Sequence, residues 1–264
     1  MAIYITGDTH GGINDMKLKS KYFPNYNEVT KDDILIILGD FGYIHAPEYR
    51  EDLMKKEYNK MIHTFKNRKW GIVLFIDGNH ENFDRLNKYP EKEMFGAKVG
   101  EIEDGIYHLK RGYVYDIQGY KIFTFGGANS VAQHTLTPGI DWWEGEKFNL
   151  EESNRAFDNL EKYNYDVDLI LSHTCSTGAL KYLSEYYKRT MYPPDEFNRL
   201  FEEFKYRVNY KKWLFGHHHI DLELKDSEIA VFKDFYKLDA VSNKDSFNVV
   251  KLEGYDLHKN KWYE

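Results

Sequence analysis

Cysteine is almost missing from this chain. Cys175 stands alone among 264 residues, so no intrachain disulfide can form, and a reducing, cytoplasmic setting is expected. Long apolar runs are missing too. The longest purely aliphatic stretch is Ile34 to Leu38, far short of the roughly 20 residues that span a bilayer as a helix, so no membrane partner is expected. The opening MAIYITGDTH has no basic region followed by an apolar stretch, which speaks against a secretory signal. No basic stripe breaks the interleaved charges, and the net charge is −7. Extended nucleic acid is therefore disfavoured as a partner, because backbone binding needs clustered Lys and Arg. Repeats, low-complexity tracts and linkers are also lacking, so one domain over 1–264 is the expectation.

What is present is enough apolar material for a sizeable core: 42% hydrophobic and 17% aromatic residues. AIYIT, DILIIL and GIVLFI are short, aliphatic and without alternation, the pattern of strands buried on both faces. The polar stretch after Gly12 reads as helical. PEYREDLMKKEYNKMIHTFKNRK carries apolar residues at helical spacing after a Pro. Strands alternating with helices imply βαβ units and a parallel inner sheet. YVYDIQGYKIFTF reads as a hairpin, NLEESNRAFDNLEKY as a helix capped by Asn149, VDLILS as a buried strand, PPDEFNRLFEEFKYRVNY as a helix and KKWLF as a strand. The tail from Ile220 reads as short strand-like runs. Residues 128–148 show no period, and a loop of that length in a compact domain is usually functional or disordered. Trp142 and Trp143 argue against plain disorder there.

Each core strand ends in a turn bearing metal-ligand residue types: Asp8 and His10, then Asp40, then Asn79 and His80, then His173, then His217 and His219. In open α/β sheets, sites form beyond the carboxyl ends of strands, so these turns can converge. Asp40 has two carboxylate oxygens and can bridge two ions. The mixed N/O donor set suits manganese, iron, zinc or magnesium better than a thiolate-preferring metal. If the histidine run is extended, alternate side chains share a face. His217 and His219 are then ligands and His218 a bystander.

These blocks resemble the calcineurin-like metallophosphoesterases: GDTHG at Gly7 to Gly11, GD at Gly39 and Asp40, GNHE at Gly78 to Glu81, SH at Ser172 and His173, and GHHH at Gly216 to His219, in the family's order. The resemblance implies an α/β fold, a four-layer α/β/β/α metallophosphoesterase sandwich, with two divalent metal ions, manganese first and iron, zinc or magnesium as alternatives. It places Asp8, His10, Asp40 and His219 around one ion, and Asp40, Asn79, His173 and His217 around the other. His80 in that pattern is a catalytic histidine rather than a ligand. Two metals roughly 3.5–4 Å apart acidify a bridging water and clamp phosphoryl oxygens. Hydroxide attack at phosphorus with His80 assisting the leaving group is the implied chemistry.

The implied substrate is a small or nucleotide-like phosphate mono- or diester. The text GDFGYIHAPEY lacks the Asp-Arg-Gly carried there by protein serine/threonine phosphatases that resemble calcineurin itself, which weakens a protein-phosphatase reading. Arg85 and Arg155 are the candidates to replace that arginine, or are ordinary helix-surface residues. Tyr43, His45, Trp142 and Trp143 are candidates for the cleft rim; the indoles could stack on a base or pin the loop, which could itself be a lid. A nuclease or RNA-processing phosphodiesterase is a second reading. A metal-bound protein-binding scaffold is a third, opposed by the intact His80.

Overall fold

Residues 1–65, 69–131, 133–188, 192–239 and 247–252 are described in the computed structural model. Fourteen strands occur among them: β1 (Ala2–Thr6), β2 (Ile34–Leu38), β3 (Ile72–Ile76), β4 (Glu91–Met94), β5 (Ala97–Glu103), β6 (Ile106–Leu109), β7 (Tyr113–Ile117), β8 (Tyr120–Phe125), β9 (Leu169–Ser172), β10 (Lys212–Phe215), β11 (Leu222–Glu223), β12 (Glu228–Ala230), β13 (Phe235–Asp239) and β14 (Val249–Lys251). The helices are α1 (Glu51–Phe65), the single turn α2 (Phe83–Leu86), α3 (Leu150–Lys162), α4 (Thr177–Tyr186) and α5 (Glu196–Arg207).

Side chains alternate across a strand, so the aliphatic strands feed two cores at once. Ile3 and Ile5 of β1, Ile34 and Ile36 of β2, and Leu74 and Ile76 of β3 face Ile122, Leu169, Leu171 and Leu214 of a second sheet. Tyr4, Leu35, Ile37, Val73 and Phe75 point the other way, onto Met61 and Phe65 of α1. The far face of the second sheet, with Phe123, Ile170 and Trp213, packs on α3, α4 and α5 through Leu160, Leu183, Phe201 and Phe204. The layers are therefore α/β/β/α. The first sheet runs β14-β13-β1-β2-β3-β6-β5-β4 and the second β11-β12-β10-β9-β8-β7. Strands β1, β2, β3 and β6 are mutually parallel, as are β8, β9, β10 and β12. The carboxyl ends of both parallel blocks carry the histidine- and carboxylate-bearing turns.

Several local expectations need correction. The stretch after Gly12 forms only short 3-10 turns, His10–Gly12, Asp15–Leu18 and Tyr26–Glu28. Positive φ at His10, Gly11, Gly12 and Asn25 stops a helix from propagating there. The helix expected from Pro47 begins at Glu51, and its expected end at residues 66–68 lies outside the described residues. Asp195 caps α5 with a capping box to Asn198, which sets its start after the two prolines. Asn149 caps α3 as expected, through Glu152. The hairpin turns on Gln118 and Gly119, both at positive φ, which matches the twist of its strands. No helix among the described residues is long and apolar enough to cross a membrane.

Candidate metal centre

Asp8 follows β1, Asp40 follows β2, Asn79 follows β3, His173 follows β9 and His217 follows β10. The first two turns are stitched together: the backbone N–H groups of Thr9 and His10 donate to the Asp40 carbonyl at 3.1 and 2.8 Å. Close approach requires glycine. A Cβ on Gly78 would collide with Asp40 Oδ1, and one on Gly216 with Asp8 Oδ1. His10, Asp40, His217 and His219 all have positive φ, a strained backbone that persists where the surroundings over-determine it.

Asp8, His10, Asp40 and His219 each offer a ligand atom, and these atoms all lie within 4.8 Å of one another. His10 Nε2 is 3.1 Å from Asp40 Oδ2 and His219 Nε2 is 3.1 Å from Asp8 Oδ2. On the other side, His173 Nε2 lies 3.3 Å from Asp40 Oδ1 and 3.3 Å from Asn79 Oδ1. The rings of His173 and His217 are 5.0 Å apart. Asp40 Oδ1 also accepts the backbone N–H groups of Asn79 and His80 at 3.0 and 2.9 Å, which fixes its carboxylate between the two groups.

The donor chemistry fits divalent cations. His173 Nδ1–H donates to the Leu38 carbonyl at 2.8 Å, so its Nε2 lone pair is the free one. That lone pair faces two oxygens that are themselves acceptors. Asp8 Oδ2 is buried without a hydrogen bond of good geometry, an orphan that is costly unless a cation faces it. Without metal, a proton stands in. Burial lowers the His173 pKa, but the Asp40 and Asp8 carboxylates outweigh it and push the ring up to about 10. Asp40 is desolvated too, yet His173 and His10 hold it well below the usual carboxylate range. Burial, with His218 and His173 nearby, pushes His217 well down, leaving it in the neutral form that can bind a metal.

His80 is exposed at the mouth, its ring 5.3 Å from that of His10. Burial of part of the ring and the charge of His10 lower its pKa against the pull of Asp40. His45 lies 6.2 Å from the His80 ring and 5.2 Å from the Trp143 ring. The histidine run is not extended, because His217 and His219 adopt left-handed backbone. The side chains still diverge: His217 and His219 turn to the centre, while His218 Nε2 lies 3.3 Å from Cys175 Sγ.

Of the expected rim residues, His45 lies beside His80, while Tyr43 and the two tryptophans lie elsewhere. Tyr43 is only 2% exposed, packed on Phe41 and Phe65 with its hydroxyl 3.2 Å from Asp15 Oδ2, so it is a core residue. Trp143, 4% exposed, belongs to the same core, and Trp142 is also buried, below Lys147. Both indoles anchor the 128–148 segment and offer no stacking face. Arg155 sits on α3, where Nε donates to the Arg111 carbonyl at 3.0 Å and the guanidinium covers Tyr113. Arg85 is held by Glu57 and the Ala46 carbonyl. Neither arginine replaces the missing phosphate-binding one.

The supporting residues were not foreseen. Asn79 Nδ2 donates to Ser130 Oγ at 3.2 Å, and Ser130 Oγ donates to Glu146 Oε2 at 2.8 Å. This relay turns Asn79 Oδ1 toward His173. Glu146, 1% exposed, also accepts the Ser130 backbone N–H. Arg111 pins the same segment, donating to the carbonyls of Gly145, Glu146 and Lys147 while paired with buried Asp77. Lys17 Nζ donates to the carbonyls of Gly7, Asp8 and Phe232, clamping the first turn. Glu81 accepts from Gly78 and Gly42 N–H, joining the turns after β2 and β3, and burial pushes its carboxyl up to about 8.

Two facing mixed sheets, whose central parallel strands end on converging buried carboxylates and imidazoles, define a metal-binding hydrolase of the four-layer α/β class. The comparison with known families agrees, matching the calcineurin-like phosphoesterase model over residues 1–221. The chain belongs to the calcineurin-like phosphoesterase family, and is a metal-dependent phosphoric ester hydrolase. No curated protein matches it.

Proposed function

We propose that the protein uses two divalent ions to hydrolyse a small or nucleotide-like phosphate mono- or diester. Asp8, His10, Asp40 and His219 would hold one ion, and Asp40, Asn79, His173 and His217 the other. The observation that carries this reading is Asp40, whose two oxygens face His10 at 3.1 Å and His173 at 3.3 Å. One carboxylate thus touches both groups. The mixed carboxylate, amide and imidazole set favours manganese, with iron, zinc or magnesium as alternatives.

When bound, such a pair polarises phosphoryl oxygens and acidifies water. The chain's own residues orient and protect. Backbone donors hold Asp40, the Leu38 carbonyl sets the His173 tautomer, and the Ser130–Glu146 relay sets Asn79. His80, exposed at the mouth and pushed toward its neutral form, donates an N–H to the leaving oxygen. His45, wedged against Trp143, keeps the His80 ring in place. The buried free Cys175 suits a reducing cytoplasmic setting.

The test is a hydrolysis screen of mono-, di- and cyclic phosphate esters across Mn²⁺, Zn²⁺, Fe²⁺ and Mg²⁺, with metal analysis. Wild type should bind two ions per chain, and Asp40→Asn should weaken both and cut turnover by several orders of magnitude. Full activity in that variant, or in thoroughly chelated wild type, would end the two-metal reading.

A further inference from the structure

A cleft of about 370 Å³ opens beside the metal centre. Its inner end is formed by Gly11, next to His10, and by His45, whose ring lies 6.2 Å from that of His80. One wall is α1. Leu53, Lys56 and Lys60 are spaced three and four apart and line it from one helix face. Tyr49 and Ile140, large side chains left exposed, also line it. Ile140 comes from the segment that Arg111 and Glu146 pin at its base.

The charges in this cleft are unbalanced. Glu57 is consumed by Arg85 and by the backbone N–H groups of His45 and Ala46. Arg50 is paired with Asp52 through two hydrogen bonds, at 2.9 and 2.8 Å. Lys56 and Lys60 have no carboxylate partner among the described residues. Lys60 is exposed, but its side chain lies against the His10–Gly12 turn: a Cβ on Gly12 would collide with its Cε. The cleft thus offers two cations and apolar walls, and His45 links it to His80.

We infer that this cleft binds the leaving group, and selects one that itself carries a second phosphate-like anion held by Lys56 and Lys60. The inference rests on the phosphoesterase reading above, which puts His80 at the leaving oxygen. The substrate class is a phosphate ester of an already phosphorylated alcohol, of which a nucleoside bisphosphate is an accessible example. Its hydrolysis is balanced: water adds to phosphorus, the P–O bond to the alcohol breaks, and the departing oxygen takes a proton. The products are inorganic phosphate and a nucleoside monophosphate.

The experiment compares adenosine 3′,5′-bisphosphate with adenosine 3′-monophosphate as substrates of the Mn²⁺-loaded protein, reading phosphate release from the 3′ position. The expected kcat/KM is at least tenfold higher for the bisphosphate, chiefly through KM. The Lys56→Ala/Lys60→Ala double variant should bring that ratio close to one. A second arm uses calorimetry on loaded and chelated protein: adenosine 5′-monophosphate should bind wild type more tightly than adenosine does, and the double variant should lose the difference. Equal kcat/KM for both substrates in wild type, or an unchanged ratio in the double variant, overturns the inference. So does turnover of p-nitrophenyl phosphate with no preference for the bisphosphate. If no ester is hydrolysed, the phosphoesterase reading falls, and the binding arm alone then decides the fate of the cleft.

Discussion

Replacing Ser130 by alanine removes one oxygen and leaves two groups changed. Asn79 Nδ2 loses its acceptor at 3.2 Å, and Glu146 Oε2 loses a donor at 2.8 Å. The backbone N–H of residue 130 still reaches Glu146 Oε1 at 3.0 Å, so the segment stays attached. What is lost is the constraint that turns Asn79 Oδ1 toward His173. Without it, the carboxamide can rotate and present nitrogen, a donor, where a metal ligand is needed. Outer partners of this kind are typically worth 10–100-fold in metal affinity, or ~1.4–2.7 kcal/mol. A Mn²⁺ titration followed by calorimetry and electron paramagnetic resonance should show one site weakened by that factor. The site of Asp8, His10, Asp40 and His219 should change far less, because none of those residues touches Ser130. Ser130→Thr keeps the hydroxyl and should restore the weak site; Glu146→Gln should fall between. Wild-type affinity at both sites in Ser130→Ala would refute the relay. So would equal weakening of both, which would mean the serine acts on the fold and not on Asn79.

Three further outcomes are expected. His80→Ala should lower kcat by ~10²–10⁴-fold, the usual range for a general acid, and retain both metals on elemental analysis; an emptied site would mean that His80 is a ligand. His173, pushed up to about 10 in the metal-free protein, carries a proton at neutral pH that the metal must displace. Mn²⁺ binding should therefore release protons, read from calorimetry in buffers of different ionisation enthalpy, and affinity should rise by about tenfold per pH unit per proton released; an affinity flat from pH 6.5 to 8.5 would contradict this. In the histidine run, His217→Ala and His219→Ala should each lose metal while His218→Ala does not, and equal loss from all three would show that the divergence of their side chains has no role.

The parallel strands were legible because burial on both faces leaves one solution: aliphatic at every position, as in Ile34 to Leu38. The convergence of the Asp- and His-bearing turns was legible because carboxylate and imidazole after such strands have few structural uses. Strand β4 was passed over because Glu91 to Met94 puts charges on an edge strand and lacks an apolar run. Helix α4 was missed for its shortness; its buried face is only Ala179, Leu180 and Leu183. Tyr43 shows a different limit. Its nearness to Asp40 in sequence suggested the cleft, but the turn sends its ring into the aromatic cluster of Phe41 and Phe65. Ser130 and Glu146 carried no signal at all. Their partnership is made by tertiary folding of an aperiodic segment, and neither residue type announces metal chemistry by itself.

The centre places several unfavourable features in one small volume. Asp8 and Asp40 are buried carboxylates; Asp40 itself, His10, His217 and His219 hold left-handed backbone; and glycine is required at 78 and 216, where a Cβ would strike those carboxylates. Strain of this kind costs roughly 1–3 kcal/mol per residue, and an unpartnered buried carboxylate costs more. Protonated His173 offsets part of the negative charge that Asp40 keeps, but its proton sits on the lone pair that faces the metal position. Proton and cation are thus alternatives at one place. The scaffold around them explains why the arrangement survives the exchange. Lys17 holds the first turn, Glu81 joins the second to the third, and Asp77 with Arg111 fastens the aperiodic segment. None of these contacts uses a ligand atom, so the turns keep their places whichever cation sits between them.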